Sequence, residues 1–140
     1  MSIIKNKILV RDVMLALDDF PIVKTDFILK ETMDSMNAFS IGMACVIDEY
    51  NVLKGVLTDG DLRRIFLNIQ QPLESLFLED TWEFTNEEFL SVSPSETMHY
   101  ALKIMEEKKI WDLPVIDEFG KLVGLFHLHP AVMKLMEFLN

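Results

Sequence analysis

Apolar positions along this chain follow two periods, one typical of helices and one typical of strands. Two stretches carry apolar residues at helical spacing, and each is followed by a short β-rich run, MACVIDE or LPVIDE. The helical positions are Leu29, Thr32, Met33 and Met36 in the first stretch and Met98, Ala101, Leu102 and Met105 in the second. We expect each stripe to pack into a core along one side of a helix.

Each β-rich run leads through a turn into a second apolar run, LKGVL or LVGLF. Asn51 and Gly120 occupy the turns, and both residue types tolerate the left-handed backbone of a tight hairpin. Gly55 and Gly124 lie inside the second runs, where we expect another backbone or a ligand to approach. Ser93, Pro94 and Glu96 (range 93–96) predict a capping box at the start of the second helix.

These elements form an internal repeat. Shifted by 69 positions without a gap, VIDEYNVLKGVL (46–57) falls on VIDEFGKLVGLF (115–126) with six of twelve residues identical. Two copies of one β-α-β-β-α unit follow from this match. We predict an α+β fold in which the copies pack by pseudo-twofold symmetry and leave two equivalent clefts near their strand–helix joints. The predicted boundaries are 8–68 for the first repeat, 69–88 for an acidic connection and 89–140 for the second repeat.

Composition and charge narrow the class of protein. Half of the 140 residues are apolar, which allows a sizeable core, and Cys45 is the only cysteine, a small buried hydrophobe in our interpretation. No apolar run is long enough to span a bilayer, and residues 1–7 lack a signal-peptide pattern. The net charge of −10 disfavours a nucleic-acid partner. We therefore predict a cytoplasmic protein without a membrane partner.

The acidic charge is concentrated between the repeats. No lysine or arginine lies between Ile65 and Leu102, whereas seven acidic residues lie from Glu74 to Glu96. We expect this segment to be a solvated surface connection.

The stretch KGVLTDGDLRR (54–64) carries the candidate chemistry, at the joint between a strand and a helix. The predicted ligand-binding residues here are Thr58, Asp59, Gly60, Asp61, Arg63 and Arg64. A hydroxyl, a glycine, a helix N-terminus beginning near Asp59 and two guanidinium groups suit a phosphate, while Asp61 can accept hydrogen bonds from ribose hydroxyls. The alternative is purely structural: Thr58 caps the helix, Asp61 completes a capping box and the arginines are solvated.

Metal binding and catalysis find little support. His127 and His129 would share one face of a continuing strand, but His99 is the third and last histidine, so a zinc site would need acidic ligands from elsewhere. We interpret the histidines as a polar strand end and predict no metal site. No nucleophile–base arrangement or Gly-rich phosphate loop is present, so we predict that the chain is not an enzyme.

The duplicated unit with GVLTDGD (55–61) at its last joint resembles a pair of CBS (cystathionine β-synthase) domains, a Bateman module. VRDVM (10–14), LTDGDLRR (57–64) and LHP (128–130) are similar to the C-terminal CBS pair of KpsF/GutQ-type arabinose-5-phosphate isomerases, and pairs attached to sugar nucleotidyltransferases are also similar. The resemblance implies Thr58 at phosphate and Asp61 at ribose. It also implies that the strand residues around Val23, Met43 and Ala44 flank the base, largely through backbone groups.

The chain departs from that family in three respects. No sugar isomerase domain precedes residue 1, so we expect the catalytic partner outside this chain. The acidic, aromatic connection replaces a shorter link. His127 and Pro130 stand at the positions of Thr58 and Asp61 in the second repeat, and proline offers neither a carboxylate nor an N–H group. We expect the second cleft to bind a nucleotide poorly.

The resemblance implies a non-catalytic, ligand-sensing regulatory module that requires no cofactor. Its expected ligand is AMP, ADP, ATP or a CMP-sugar in the first cleft, and its expected partners are a second copy in a homodimer and a sugar isomerase or nucleotidyltransferase. The alternative is a structural dimerisation module whose ligand sites are vestigial.

Overall fold

The structure is a computed structural model that describes residues 8–139; residues 1–7, over which we predict no signal peptide, lie outside the described part. The elements in chain order are α1 (Val10–Val13), β1 (Ile22–Lys24), α2 (Leu29–Phe39), β2 (Met43–Ile47), β3 (Leu53–Thr58), α3 (Asp59–Asn68), α4 (Leu73–Phe77), a 3-10 helix (Thr81–Phe84), α5 (Met98–Lys108), β4 (Asp112–Ile116), β5 (Leu122–His127) and α6 (Leu128–Leu139). The predicted α+β class is confirmed.

Contacts divide the described residues into two compact units. The first unit comprises residues 19–89, and the second unit comprises residues 8–18 together with residues 90–139. In the first unit β2 pairs in parallel with β1 and antiparallel with β3. In the second unit β4 and β5 form an antiparallel pair. The boundaries 8–68, 69–88 and 89–140 are drawn from the sequence repeat. They stay a prediction, because a division by contacts does not test a division by repeats.

The predicted helical stripes are buried as core. In the first unit Leu29, Thr32 and Met36 lie on the buried side of α2, and Met33 packs against the same core. In the second unit Met98, Ala101 and Met105 do the same on α5, with Leu102 packed against them. Each stripe covers one face of its own sheet, which is the interaction that 3.6-residue periodicity predicts.

The two hairpins have the same construction. Asn51 and Gly120 have positive φ angles of 66° and 81°, as the turn chemistry predicts. Asp48 and Asp117 brace these turns, each accepting backbone N–H groups two and four residues later through Oδ1. The local sequence therefore specifies both turns.

Gly55 and Gly124 mark the places where a further chain segment crosses each hairpin. Val56 exchanges two backbone hydrogen bonds with Asn86, at 3.0 and 2.9 Å, and Leu125 does so with Leu15, at 2.8 and 3.2 Å. A Cβ atom on Gly55 would lie 2.7 Å from the backbone oxygen of Asn86, and one on Gly124 would lie 2.9 Å from that of Leu15. The expected close approach is confirmed as that of another backbone in both strands.

These bridges exchange segments between the repeats. Asn86, in the connection before the second repeat, bridges to the hairpin of the first repeat, and Leu15, near the start of the first repeat, bridges to the hairpin of the second. The 69-residue shift places Leu15 opposite Phe84 and not opposite Asn86. The two crossing segments are therefore equivalent in structure but displaced by two residues from the alignment of the repeats.

The acidic connection belongs to the core of the first unit, so its interpretation as a solvated surface connection is wrong for its apolar side. Leu76 on α4 is 2% exposed, and Thr81 is fully buried. The hydroxyl oxygens of Thr81 and Thr32 lie 2.6 Å apart in a buried hydrogen bond. Trp82 and Phe84 also pack on this core. Glu74 and Glu83, by contrast, are exposed, because burying an unpaired carboxylate would cost its hydration.

The second repeat departs from the prediction at its start. In place of a first strand, Val92 makes a single parallel bridge to Val115. The predicted capping box at 93–96 is wrong, since α5 begins at Met98 and its N-cap is Thr97, whose hydroxyl accepts a hydrogen bond from the N–H of Tyr100. Ser93 instead pairs with Ser95 within the preceding turn. Among the described residues no helix has the length and apolar character needed to cross a membrane.

Candidate functional site

The joint between β3 and α3 is a reciprocal capping box. Thr58 is the N-cap, with extended backbone angles, and its hydroxyl oxygen accepts a hydrogen bond of 3.1 Å from the N–H of Asp61. In return the N–H of Thr58 donates to Asp61 Oδ2 at 2.9 Å. The two side chains predicted to bind phosphate and ribose are thereby held beside the first turn of α3.

Arg64 completes this group. Its Nη2 lies 2.7 Å from Asp61 Oδ1, so the two carboxylate oxygens have different partners, a backbone N–H and a guanidinium. The Asp61 side chain is 18% exposed and that of Arg64 is 58% exposed. A Cβ atom on Gly60 would lie 3.4 Å from both terminal nitrogens of Arg64. The guanidinium therefore lies over Gly60, and the joint presents a hydroxyl, a carboxylate and a cation beside one bare backbone position.

Asp59 faces a neighbouring cavity of about 280 Å³ between the end of α2 and the start of α3. Its N–H donates to the carbonyl of Gly42 at 3.0 Å, and its Oδ2 lies 2.6 Å from where a Cβ atom on Gly42 would be. Gly42 thus makes room for the Asp59 carboxylate. The other lining residues are Met33, Met36, Asn37, Ser40, Ile41 and Leu62.

The remaining predicted residues differ in their burial. Met43 is 8% exposed and is the register partner of Thr58 across the hairpin. Val23 and Ala44 are buried in the core of the first unit, at 1% and 0% exposure. Arg63 is exposed on α3. Contact of Val23, Met43 and Ala44 with a base stays a prediction.

The equivalent joint in the second repeat has different chemistry. His127 ends β5, and its Nδ1 lies 2.6 Å from Oδ1 of Asp112, its register partner on β4. Because α6 begins at Leu128, His129 lies on a helix, and the strand does not continue to bring the histidines onto one face. Pro130 lies in the first turn of α6. The described residues contain no group of three or more His, Cys, Asp or Glu side chains arranged for a metal ion.

A cavity of about 440 Å³ beside this joint corresponds to the one near Asp59. Trp111 and Leu128 occupy the positions of Gly42 and Asp59 under the 69-residue shift. The second cavity is therefore lined by large apolar groups where the first has a glycine and a carboxylate. The sequence analysis missed Gly42 and Trp111, although aligning the repeats would have found them as a mismatched pair.

The comparison with protein families identifies the fold. The model of the CBS domain matches residues 10–68 and 82–129, and the chain belongs to the CBS domain family. It is similar to the arabinose 5-phosphate isomerase KdsD of Pseudomonas aeruginosa, with 32% identity over 123 residues that cover 86% of this chain and 36% of that protein. The chain spans about a third of the length of that isomerase and of the KdsD of Escherichia coli.

Solved structures share the fold. The crystal structure of CBSX2 in complex with AMP matches with a TM-score of 0.82 at 22% identity, covering 95% of this chain and 99% of that chain. The CBS domain pair of protein MJ0100, in complex with 5′-methylthioadenosine and S-adenosyl-L-methionine, matches with a TM-score of 0.75 at 17% identity, covering 94% and 98%. The predicted resemblance to CBS pairs and to arabinose-5-phosphate isomerases is thus confirmed.

Proposed function

We propose that this chain is a non-catalytic regulatory module that binds an adenosine nucleotide at the β3–α3 joint of its first repeat. The observation that carries the proposal is the convergence of Thr58, Gly60, Asp61 and Arg64 at the N-cap and first two turns of α3. The likeness of the fold to a CBS pair crystallised with AMP supports an adenosine ligand. AMP, ADP and ATP are the first candidates, and CMP-sugars follow from the relatives in sugar-phosphate metabolism.

The roles of the residues follow from their remaining hydrogen-bonding capacity. The Thr58 oxygen accepts one bond, and its hydroxyl proton can still be donated to a phosphate oxygen. A carboxylate has about four acceptor positions, so Asp61 can accept bonds from ribose hydroxyls while Oδ2 keeps the N–H of Thr58. Arg64 supplies positive charge in a chain whose net charge is −10.

The second repeat contributes differently. At its joint an imidazole paired with Asp112 replaces the threonine, and a proline replaces the ribose-binding aspartate. We propose that nucleotide binding is confined to the first repeat. The module would act as a homodimer in the cytoplasm and regulate a sugar-phosphate enzyme such as an isomerase or nucleotidyltransferase, through a difference in ligand affinity between two arrangements of the module.

A structural assembly module is the second candidate. It is favoured by the fact that the polar groups of the joint already have partners: Thr58 and Asp61 cap each other, and Arg64 neutralises the carboxylate. Such a joint is stable without any ligand. This candidate predicts a dimer in light scattering whose stability is the same with and without every nucleotide.

Calorimetry and thermal unfolding with AMP, ADP, ATP and a CMP-sugar distinguish the two candidates. A nucleotide present at a hundredfold excess over its dissociation constant should stabilise the chain by about 2.7 kcal/mol. Asp61→Asn keeps an oxygen for the Thr58 N–H but removes the charge, and we expect it to weaken nucleotide binding at least about tenfold. Glu31→Gln is the matched control, because the Glu31 carboxylate likewise accepts the N–H of an N-cap residue, Ile28 at the start of α2. Absence of a response to every nucleotide would eliminate the sensor.

A further inference from the structure

We infer that Arg64 determines specificity at the first joint by exchanging partners, from the Asp61 carboxylate to the phosphate of the ligand. The inference rests on the proposed nucleotide site and specifies its ligand class. The site would select phosphorylated adenosine ligands over unphosphorylated ones such as adenosine or 5′-methylthioadenosine.

The position of Arg64 is the first observation. Its Nη2 lies 2.7 Å from Asp61 Oδ1, the oxygen that does not accept the backbone N–H of Thr58. A ribose that binds Asp61 must approach this same oxygen or compete for the lone pairs beside it. Without a ligand, Arg64 therefore competes directly with the ribose hydroxyls.

The space over Gly60 is the second observation. Both terminal nitrogens of Arg64 lie 3.4 Å from where a side chain would begin on Gly60, and Thr58 Oγ1 lies 3.6 Å from the same point. The guanidinium thus covers the backbone of Gly60 beside the threonine hydroxyl. The proposed ligand would occupy this same space. The ligand can enter only when the guanidinium moves aside.

Exposure makes this movement possible. The Arg64 side chain is 58% exposed and is attached to the outer side of α3, so rotation about its side-chain bonds can release Asp61 without unfolding the helix. The guanidinium regains water when it leaves, and the ribose hydroxyls replace it at Asp61, whose side chain is 18% exposed. After it leaves Asp61, the Arg64 guanidinium can bind a phosphate, to which it can donate two parallel hydrogen bonds.

The consequence is a difference between ligands. A nucleotide displaces Arg64 from Asp61, but its phosphate then pairs with Arg64. One ion pair of Arg64 therefore replaces another. An uncharged nucleoside displaces the same guanidinium and offers nothing. Arg64 therefore favours the first ligand and opposes the second.

Titration of the full chain with AMP and with adenosine tests this inference. In Arg64→Ala, AMP should bind about tenfold more weakly because a charge-assisted bond is lost. Adenosine should bind about twofold to fivefold more tightly because its competitor for Asp61 is gone. The ratio of the two dissociation constants should fall by more than tenfold. Arg64→Lys, which keeps the charge but not the planar fork, should recover part of the ratio.

Lys30→Ala is the matched control, since it removes an exposed cation that pairs with a carboxylate, Asp34, on α2, and it should leave the ratio within about twofold. A purely structural role of Arg64 would weaken both ligands equally, so an unchanged ratio in Arg64→Ala with normal AMP binding by the wild type would overturn the inference alone. If neither the wild type nor Arg64→Ala binds AMP or adenosine, the proposed nucleotide site itself is wrong and the inference falls with it.

Discussion

Replacing Gly55 with alanine tests the segment exchange that organises each unit. Gly55 lies in β3 directly below the segment of residues 85 and 86. An added Cβ atom would collide with Thr85 Cγ2 and would lie 2.7 Å from the carbonyl oxygen of Asn86. A threonine methyl group can rotate away, but a backbone oxygen moves only if the whole segment lifts from the strand.

The cost follows from what that movement breaks. Two backbone hydrogen bonds join Val56 to Asn86, at 3.0 and 2.9 Å, and each contributes about 1 kcal/mol. Forcing an extra carbon into a packed site costs about 1–3 kcal/mol, while the lower unfolded-state entropy of alanine returns up to about 1 kcal/mol. The net loss should be about 3 kcal/mol, a large fraction of the total stability of about 5–15 kcal/mol that proteins of this kind possess.

Urea unfolding followed by circular dichroism measures this loss as a shift of the transition midpoint. Gly60→Ala is the control, because the nearest atoms to its Cβ would be at 3.4 Å and belong to the exposed end of the Arg64 side chain. Alanine is the better helix former, so this control should gain about 0.5–1 kcal/mol. If Gly55→Ala unfolds within about 1 kcal/mol of the wild type, the close approach of the two backbones is not what requires glycine.

Two further substitutions test how the acidic connection joins the core. Leu76→Ala should lower the free energy of unfolding by about 3 kcal/mol, because Leu76 is 2% exposed. The control Leu78→Ala, at a position 70% exposed, should change it by less than about 0.5 kcal/mol. Equal effects of the two substitutions in urea unfolding would show that Leu76 is not part of the core. Thr32→Val and Thr81→Val should each cost about 1–3 kcal/mol because each leaves the other buried hydroxyl without its partner, while the double variant should be nearly neutral; a double-mutant cycle that shows simple additivity would contradict this pairing.

The predictable part of the candidate site consists of interactions between residues close in sequence. Thr58 and Asp61 are three positions apart, and the spacing of a hydroxyl and a carboxylate around a helix start suffices to predict their reciprocal bonds. The structural alternative and the ligand-binding hypothesis both used these residues, and the geometry is compatible with both. The partner of Arg64 was not predictable, because a long side chain could reach either solvent or Asp61.

Failures of prediction occur where several local signals compete. Ser93, Pro94 and Glu96 satisfy the spacing of a capping box, yet Thr97 caps α5 instead. The reason lies in long-range pairing: the carbonyl of Glu96 accepts the N–H of Val10, and the N–H of Met98 donates to Ile8. These bonds flank the bridge between Leu9 and Thr97 and hold Thr97 in an extended conformation, so the helix begins only at Met98.

Periodicity and spacing in the chain were enough to establish the duplicated α+β unit, the buried helix stripes, the hairpin turns and the capped joint at Thr58. Each depends on residues within a few positions of one another, or on a match between two long segments. Only the tertiary structure decided three features: the exchange of edge segments, the burial of Leu76 and the bond between Thr32 and Thr81. Such contacts join residues tens of positions apart through single bridges, and a single bridge leaves no periodic pattern of apolar and polar residues.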